Sequence, residues 1–243
     1  MSVSQHHQIL RVMPREMRMM SERILSMTGQ PKGFFLSVQD VPMYSQKLGL
    51  GGFALLESRF DALCNACVGE IAIASEDKAK LWLDGRGQHA WFVLPAAIDL
   101  LGELVARFGK AELVVAGAID PEELKIAEAF AQRNGLSVDV TIASDVTLKA
   151  CGRVLTGDIR HDDPLLWSVL EAGLPVQAEL WWRIYALAKK ALAADSVVSR
   201  RHAGPMIVNQ DGTVIGRKDN DDETDVSFLI APRTETQTES TNS

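Results

Sequence analysis

The sequence predicts an α/β or α+β fold: a mixed β-sheet with a βαβ unit at about residues 111–143, flanking helices and a C-terminal hairpin. Residues 111–143 have the pattern of a strand, a helix that begins near Asp120 and ends near Gly135, and a second strand. A crossover of this length predicts that the two strands are parallel neighbours. The stretches "EIAIAS" and "KLWLD" alternate apolar and polar residues, as half-buried strands do. The Asp-Gly within "PMIVNQDGTVIGR" is typical of a hairpin turn.

The N-terminal part, about residues 9–68, is predicted to be helical. Apolar residues at helical spacing favour a helix over about 15–27, ended by Gly29 and Pro31. Two further helical stretches follow, separated by "GLGG". The pattern changes at residue 70, where the predicted mixed sheet begins. Its third strand is "HAWFVL", followed by a helix with Pro95 at its first position and Gly109 at its C-terminal cap.

The C-terminal third continues the same alternation. "DVTLKACGRVLTG" is predicted as a strand, "DDPLLWSVLEAG" as a capped helix and "QAELWWRIYALAKKALAADS" as a longer helix. The hairpin follows, then a last strand "VSFLIA", and a tail without apolar residues that is predicted to be disordered. The domain prediction is therefore one globular domain over 1–230 and a disordered tail over 231–243.

Composition and charge exclude several classes of function. The chain has 243 residues, of which 47% are hydrophobic and 23% charged, as in ordinary globular proteins. A net charge of −7 and no segregated basic stretch argue against nucleic-acid partners. No apolar run is long enough to span a bilayer, and the N-terminus lacks a secretory signal pattern. Three cysteines fit a reducing compartment. A cytoplasmic protein that does not bind membranes is expected.

Short motifs give no complete catalytic signature. Cys64 and Cys67 form a C-x-x-C pair, which is interpreted as buried structural thiols because the pair ends a helix instead of opening one. The glycines of "GLGG" and "GRG" are not expected to bind phosphate, because neither group is predicted to follow a strand and open a helix. G-x-S-x-G and H-E-x-x-H are absent from the sequence.

Two polar stretches are consistent either with catalytic or metal-binding residues or with solvated loops. "TGDIRHDD" at 156–163 contains His161 among acids, a set that can move protons or bind a metal, although Asp162 or Asp163 also suits a helix N-cap. "RKDNDDETD" at 217–225 places five acids after two bases. A charged stretch after a hairpin is most often a solvated loop, so both interpretations stay open.

The C-terminal part resembles an uncharacterised bacterial protein family. The resemblance lies in a Leu-Trp helix, then Ser-Arg, then glycine, then Asp-Asn-Asp, carried here by Leu180, Trp181, Ser199, Arg200, Gly204, Asp219, Asn220 and Asp221. The upstream "TGQPKG" is also similar, at Gly29, Pro31 and Gly33. In this chain a hairpin separates the glycine from Asp-Asn-Asp, and the resemblance covers about a fifth of the sequence. It indicates positions and implies no particular activity.

Two functions are consistent with these observations. The first is an enzyme that acts on a small polar, carboxylated metabolite by acid–base chemistry. Its catalytic candidates are Asp219, Asp221 and His161, and its substrate-binding candidates are Ser199, Arg200 and Asn220. The second is a non-catalytic accessory subunit or ligand-binding module, in which one of Trp181 and Trp182 meets a partner subunit or a second copy. The sequence identifies no cofactor and leaves the question of a metal open.

Overall fold

The computed structural model describes residues 8–192, 207–208 and 214–215. The chain divides at residue 192 into two units. The first unit contains a helical N-terminal part and a mixed five-stranded sheet, and the second contains the two short strands. This architecture confirms the predicted α/β class with a mixed sheet and flanking helices.

The N-terminal part consists of a short strand and five helices. In chain order these are β1 (Ile9–Val12), α1 (Pro14–Ser26), α2 (Lys32–Val38), α3 (Val41–Lys47), α4 (Gly52–Ser58) and α5 (Phe60–Cys64). The helix predicted over 15–27 is confirmed, with Pro14 in its first turn, where the missing N–H costs no hydrogen bond. The break at "GLGG" is confirmed between α3 and α4. Strand β1 pairs antiparallel with β7 (Leu174–Gln177).

The five-stranded sheet has the order β2-β3-β4-β6-β5. Its strands are β2 (Ala72–Asp77), β3 (Lys80–Asp84), β4 (Lys110–Ala116), β5 (Leu136–Ile142) and β6 (Val146–Gly152). Only the β3–β4 pair among them is parallel, and the other three pairs are antiparallel. Alternate residues of each central strand are buried, such as Leu81 and Leu83 in β3.

A parallel strand–helix–strand unit is formed by β3, α6 (Ala90–Phe108) and β4. The third strand predicted at "HAWFVL" is therefore wrong, since these residues cap and begin α6. Pro95 consequently lies inside this helix. Trp91 to Leu94 are all buried. A fully buried first helical turn has no polar face, so its apolar residues do not show the helical period and resemble a buried strand.

The unit predicted at 111–143 is present in a modified form. Strands β4 and β5 run in the same direction, but β6 lies between them and pairs antiparallel with both. The prediction that β4 and β5 are neighbours is therefore wrong, because the short β5–β6 hairpin brings β6 into that position. The helix between them is mostly 3₁₀, at Pro121–Ile126 and Gln132–Asn134, around α7 (Ala127–Phe130).

The C-terminal part contains α8 (Ile159–Asp162), α9 (Pro164–Ala172) and α10 (Ala178–Lys189). The last two confirm the predicted helices, whereas no helix is predicted from the sequence at α8. In the second unit, β8 (Ile207–Val208) and β9 (Val214–Ile215) pair antiparallel, which confirms the hairpin. The predicted strand "VSFLIA" and the tail over 231–243 lie outside the described residues. No helix within the described ranges is both long and apolar enough to cross a bilayer.

Candidate functional site

A turn rich in glycine connects β3 to α6 at residues 85–89. It runs beside residues 117–120, which follow β4, and backbone hydrogen bonds join the two segments, from Gly87 N to Gly117 O and from Ala90 N to Ile119 O. The expectation that "GRG" does not lie between a strand and a helix is therefore wrong. The carboxyl ends of the two parallel strands thus meet at this turn, where open α/β sheets commonly bind ligands.

Three charged or polar side chains converge at this edge of the sheet. Arg59 donates two hydrogen bonds to the Asp120 carboxylate, from Nε to Oδ2 at 2.7 Å and from Nη2 to Oδ1 at 2.8 Å. The Nε2 atom of His89 lies 3.1 Å from Oδ2 of Asp120. The arginine side chain is 44% exposed, whereas those of Asp120 and His89 are 12% and 1% exposed. A buried imidazole and a largely buried carboxylate therefore face a guanidinium that reaches solvent.

His89 also forms the N-terminal cap of α6. Its Nδ1 atom accepts a hydrogen bond from Trp91 N at 3.1 Å, so the proton of the neutral ring resides on Nε2. This Nε2 atom is buried and forms no hydrogen bond of good geometry with any described residue. A buried donor of this kind requires an explanation, and its closest partner is the Asp120 carboxylate.

Burial and pairing set the charge states of this cluster. Desolvation lowers the pKa of His89 to about 4, against the opposing effect of the nearby Asp120 charge. Hydrogen bonds from Arg59 lower the pKa of Asp120 below its ordinary value. At neutral pH the cluster therefore contains a neutral imidazole, a carboxylate and a guanidinium.

The conformation of Asp120 explains why it does not cap the helix that follows it. Its backbone adopts a left-handed conformation with φ of 49°, and its side chain makes no capping hydrogen bond. Asp120 does precede a helix, as predicted, but its side chain does not cap that helix. The carboxylate turns instead towards Arg59 and His89. A non-glycine residue in this conformation is uncommon and is often found at functional sites.

A second buried carboxylate, Glu123, lies on the same 3₁₀ segment and holds the surrounding loops together. It accepts hydrogen bonds from Ser45 Oγ at 2.6 Å, Trp91 Nε1 at 2.7 Å and Gly51 N at 2.7 Å. These donors belong to α3, α6 and the turn before α4. Glu123 is 2% exposed, so its role is to fix the position of the segments that carry the Arg59–Asp120–His89 cluster.

The arrangement has a definite chemical capacity. Only two of the five guanidinium N–H groups of Arg59 are used by Asp120, so others can donate to a bound anion. The Asp120 carboxylate can accept a hydrogen bond or a proton from a hydroxyl or amine, and the buried Nε2 atom of His89 lies 3.1 Å from it. Within the described parts of the chain, no group of three His, Cys, Asp or Glu side chains is placed to hold a metal ion.

Five of the six site residues predicted from the sequence lie outside the described residues. These are Ser199, Arg200, Asp219, Asn220 and Asp221. The sixth, His161, is exposed on α8, and its Nδ1 atom lies 3.7 Å from Asp158 Oδ2. Their assignment therefore stays a prediction.

The acids near His161 have structural roles. Asp162 accepts hydrogen bonds from Thr156 N and Gly157 N, which lower the pKa of its carboxyl. Asp163 caps α9 by accepting from Leu166 N, and it also accepts a hydrogen bond from the Tyr44 hydroxyl. Asp163 is therefore the helix cap that the sequence predicts, and Asp162 holds the preceding turn.

The cysteines differ from their expected burial. Cys64 is half-buried, and both Cys67 and Cys151 are exposed. The interpretation of the C-x-x-C pair as buried thiols is therefore wrong for Cys67, because α5 ends at Cys64 and leaves Cys67 beyond the packed helix.

Sequence reasoning missed the cluster of Arg59, His89 and Asp120. These residues are separated by about 30 positions each, so no motif spacing reveals them. The available signal was "DGRGQHA", in which glycines and a histidine stand between an alternating strand and a long apolar segment. The signal is weak because the apolar residues that follow it have the composition of a strand.

Comparisons with known proteins show the fold alone. No protein-family model matches the chain, and no curated protein matches it. A crystal structure of a dehydrogenase from Sinorhizobium meliloti is similar at 10% identity, with a TM-score of 0.53, over 74% of this chain and 100% of that chain.

Two malate dehydrogenases show weaker structural similarity. The Entamoeba histolytica enzyme has 12% identity and a TM-score of 0.42 over 79% of this chain and 72% of its own. The Pyrococcus horikoshii enzyme has 12% identity and a TM-score of 0.41 over 79% of this chain and 68% of its own.

Proposed function

We propose that this protein is an enzyme that acts on a small carboxylated metabolite by acid–base chemistry at the carboxyl ends of β3 and β4. The observation that carries the proposal is the convergence of Arg59, Asp120 and His89 at that edge. The fold shared with the Sinorhizobium meliloti dehydrogenase supports an enzyme in general terms.

The proposed roles follow from the exposure and charge of each group. Arg59 reaches solvent and binds the substrate carboxylate, since a guanidinium fork matches a carboxylate geometrically. Asp120 accepts a hydrogen bond or a proton from a substrate hydroxyl or amine. His89 stays neutral and orients Asp120, because its buried ring has a pKa of about 4.

A dinucleotide phosphate does not fit the β3–α6 turn. Such a phosphate is bound by free backbone amides of the turn and of the helix N-terminus. Here the amides of Gly85, Gly87, Gln88 and Ala90 donate to backbone carbonyls, and that of Arg86 donates to Asp84. The amide of Trp91 donates to His89. We therefore assign no nucleotide to this turn.

The residues of the C-terminal signature form a separate part of the proposal, which does not depend on the β3–β4 edge. Arg200 with Ser199 and Asn220 binds substrate, while Asp219 or Asp221 transfers a proton, with His161 as a further acid–base candidate. This assignment is supported by the mixture of amide, carboxylate and guanidinium groups in the signature and by its resemblance to the uncharacterised family.

The first test compares ligand binding between variants of the full chain. A panel of small mono- and dicarboxylates, including hydroxy acids and amino acids, is screened by ligand-detected NMR. For the ligands that bind, we expect Arg59→Gln and Asp120→Asn each to weaken binding about tenfold or more, since each removes a charge-assisted hydrogen bond. Asp219→Asn, Asn220→Ala and Asp221→Asn are measured on the same panel, and at least one is expected to weaken binding.

Arg183→Gln is the matched control for Arg59→Gln. Arg183 also donates to a carboxylate, that of Glu57, and its side chain is 48% exposed. The control should bind as the unmodified protein does. Equal binding by Arg59→Gln and Arg183→Gln would remove the β3–β4 edge from the proposal, and unchanged binding by all three C-terminal variants would remove the signature residues.

A second candidate function is that of a non-catalytic accessory subunit. Trp182 and Tyr185 lie on the outer face of α10, 57% and 46% exposed, with ring centroids 6.0 Å apart. The neighbouring Trp181 is buried against Phe53, which agrees with the expectation that one tryptophan faces the core. An exposed aromatic pair of this kind is typical of protein interfaces.

The oligomeric state tests this second function. If Trp182 and Tyr185 meet a second copy, sedimentation of the unmodified protein should show a dimer. The double substitution Trp182→Ser with Tyr185→Ser should shift it to monomer without changing the circular-dichroism spectrum. A strictly monomeric profile, together with no partner recovered by affinity purification, counts against this function.

A further inference from the structure

A cavity of about 500 Å³ opens at the amino-terminal ends of strands β3 and β4. The Arg59–Asp120–His89 cluster lies at the carboxyl ends of the same two strands. The charged residues that line the cavity are Lys78, Lys80, Lys110, Lys149, Asp77 and Glu112. We refer to it as the basic cavity. Since a strand rises about 3.3 Å per residue, the basic cavity and the cluster are separated by roughly 15 Å.

The fold assembles the basic cavity from segments far apart in sequence. Lys78 lies in the two-residue turn between β2 and β3, Lys80 begins β3, and Lys110 begins β4. In the sheet, Glu112 of β4 is in register with both Lys80 of β3 and Lys149 of β6. The sequence contains no segregated basic stretch, because these lysines come together only when the three strands pair.

The charges of the basic cavity are not balanced internally. The Glu112 carboxylate pairs with Lys80 Nζ at 2.6 Å and lies 3.9 Å from Lys149 Nζ, and these lysines lower the pKa of its carboxyl. Lys78 and Lys110 form no ion pair with any other residue in the described part of the chain. Four lysines against two carboxylates leave an excess of positive charge, in a protein whose net charge is −7.

The hairpin turn between β2 and β3 explains the backbone conformation of Lys78. Lys78 has φ of 52°, in the left-handed region that glycine or asparagine adopts more easily. A two-residue hairpin turn requires positive φ at its first residue, so this conformation follows from the turn that places Lys78 in the lining.

We propose that the basic cavity binds a small ligand that carries two or more linked phosphate groups. Its volume lies within the range of small-molecule sites. Its cations are lysines, and no arginine is among its described lining residues. Lysine ammonium groups act as compact point charges suited to phosphate, whereas a planar carboxylate is matched better by arginine. The excess of positive charge favours a multiply charged anion.

The test measures binding of sodium tripolyphosphate to the full-length protein by isothermal titration calorimetry at low ionic strength. We expect the double substitution Lys78→Gln with Lys110→Gln to weaken binding about tenfold or more, because it removes two charge-assisted contacts. Lys32→Gln, on helix α2 and outside the lining, removes the same type of charge and should leave the affinity unchanged. Citrate, a tricarboxylate, should bind at least about tenfold more weakly than tripolyphosphate.

A second variant separates binding from folding. Lys78→Gly keeps the turn, because glycine adopts positive φ without a steric cost. We therefore expect its Tm to rise by about 2–4 °C while tripolyphosphate binding weakens. No binding by the unmodified protein, equal binding by the double variant, or equal binding of citrate would each overturn the proposal. Arg59→Gln should leave tripolyphosphate binding intact, so a failure here is distinct from a failure of the proposed enzyme site.

Discussion

Glu123→Gln is expected to lower the free energy of unfolding by about 2–4 kcal/mol, because the three donors around this side chain require a carboxylate. Its Oε2 atom accepts from both Ser45 and Trp91, and its Oε1 atom accepts from Gly51. A glutamine can present its oxygen to only one side of this arrangement, and its amide N–H groups then face other donors. At least one buried donor therefore loses its partner.

The measurement for Glu123→Gln is urea unfolding at neutral pH, followed by circular dichroism. Glu122→Gln is the matched control, since Glu122 is the exposed neighbour of the buried residue. This control should change the free energy of unfolding by less than about 0.5 kcal/mol. Equal stability of the two variants would show that the donors find other partners and that Glu123 does not hold the loops together.

A second large effect is expected from protonation of His89. Its pKa is about 4 in the folded protein and about 6.5 in an unfolded chain. Between these two values the unfolded chain binds a proton that the folded protein does not, so the free energy of unfolding decreases as the pH falls. From about pH 7 to about pH 4.5 we expect His89 to account for a loss of about 2–3 kcal/mol.

The variant that isolates this effect is His89→Asn. Asparagine can still accept a hydrogen bond at the N-terminus of α6 but does not titrate in this range. We expect it to be less stable at neutral pH. Its free energy of unfolding should also decrease less towards pH 4.5 than that of the unmodified protein, by about 2–3 kcal/mol. Parallel stability curves for the two proteins would contradict a buried, neutral His89.

Local signals made much of the fold predictable. The helices α1, α9 and α10 are predictable because each carries apolar residues at helical spacing, and α9 also begins at a proline that follows its Asp163 cap. The β8–β9 hairpin follows from Asp-Gly between two apolar runs. These features depend on residues close in sequence.

Other parts of the fold could not be read from local patterns. The start of α6 was assigned to a strand because a short, fully buried segment has the same composition in both conformations. The position of β6 between β4 and β5 depends on pairing between residues that are distant along the chain. Sequence periodicity predicts the strands but does not give their order in the sheet.

The candidate site was harder to predict than the fold. Asp120 looked like a helix cap because an acid before a proline is a common helix start. Its actual partners, Arg59 and His89, come from other segments, and only the parallel pairing of β3 and β4 brings His89 beside it. The four lysines of the basic cavity illustrate the same limit, since single lysines in separate strands do not form a recognisable motif.

The two adjacent tryptophans of α10 have a spectroscopic consequence. Trp181 lies in the core and Trp182 lies at the surface, because successive helical residues point in directions about 100° apart. The first senses an apolar environment and is shielded from aqueous quenchers such as iodide, and the second is open to them. The fluorescence of Trp181 therefore reports unfolding of the core. The fluorescence of Trp182 reports whether another molecule covers the outer face of α10.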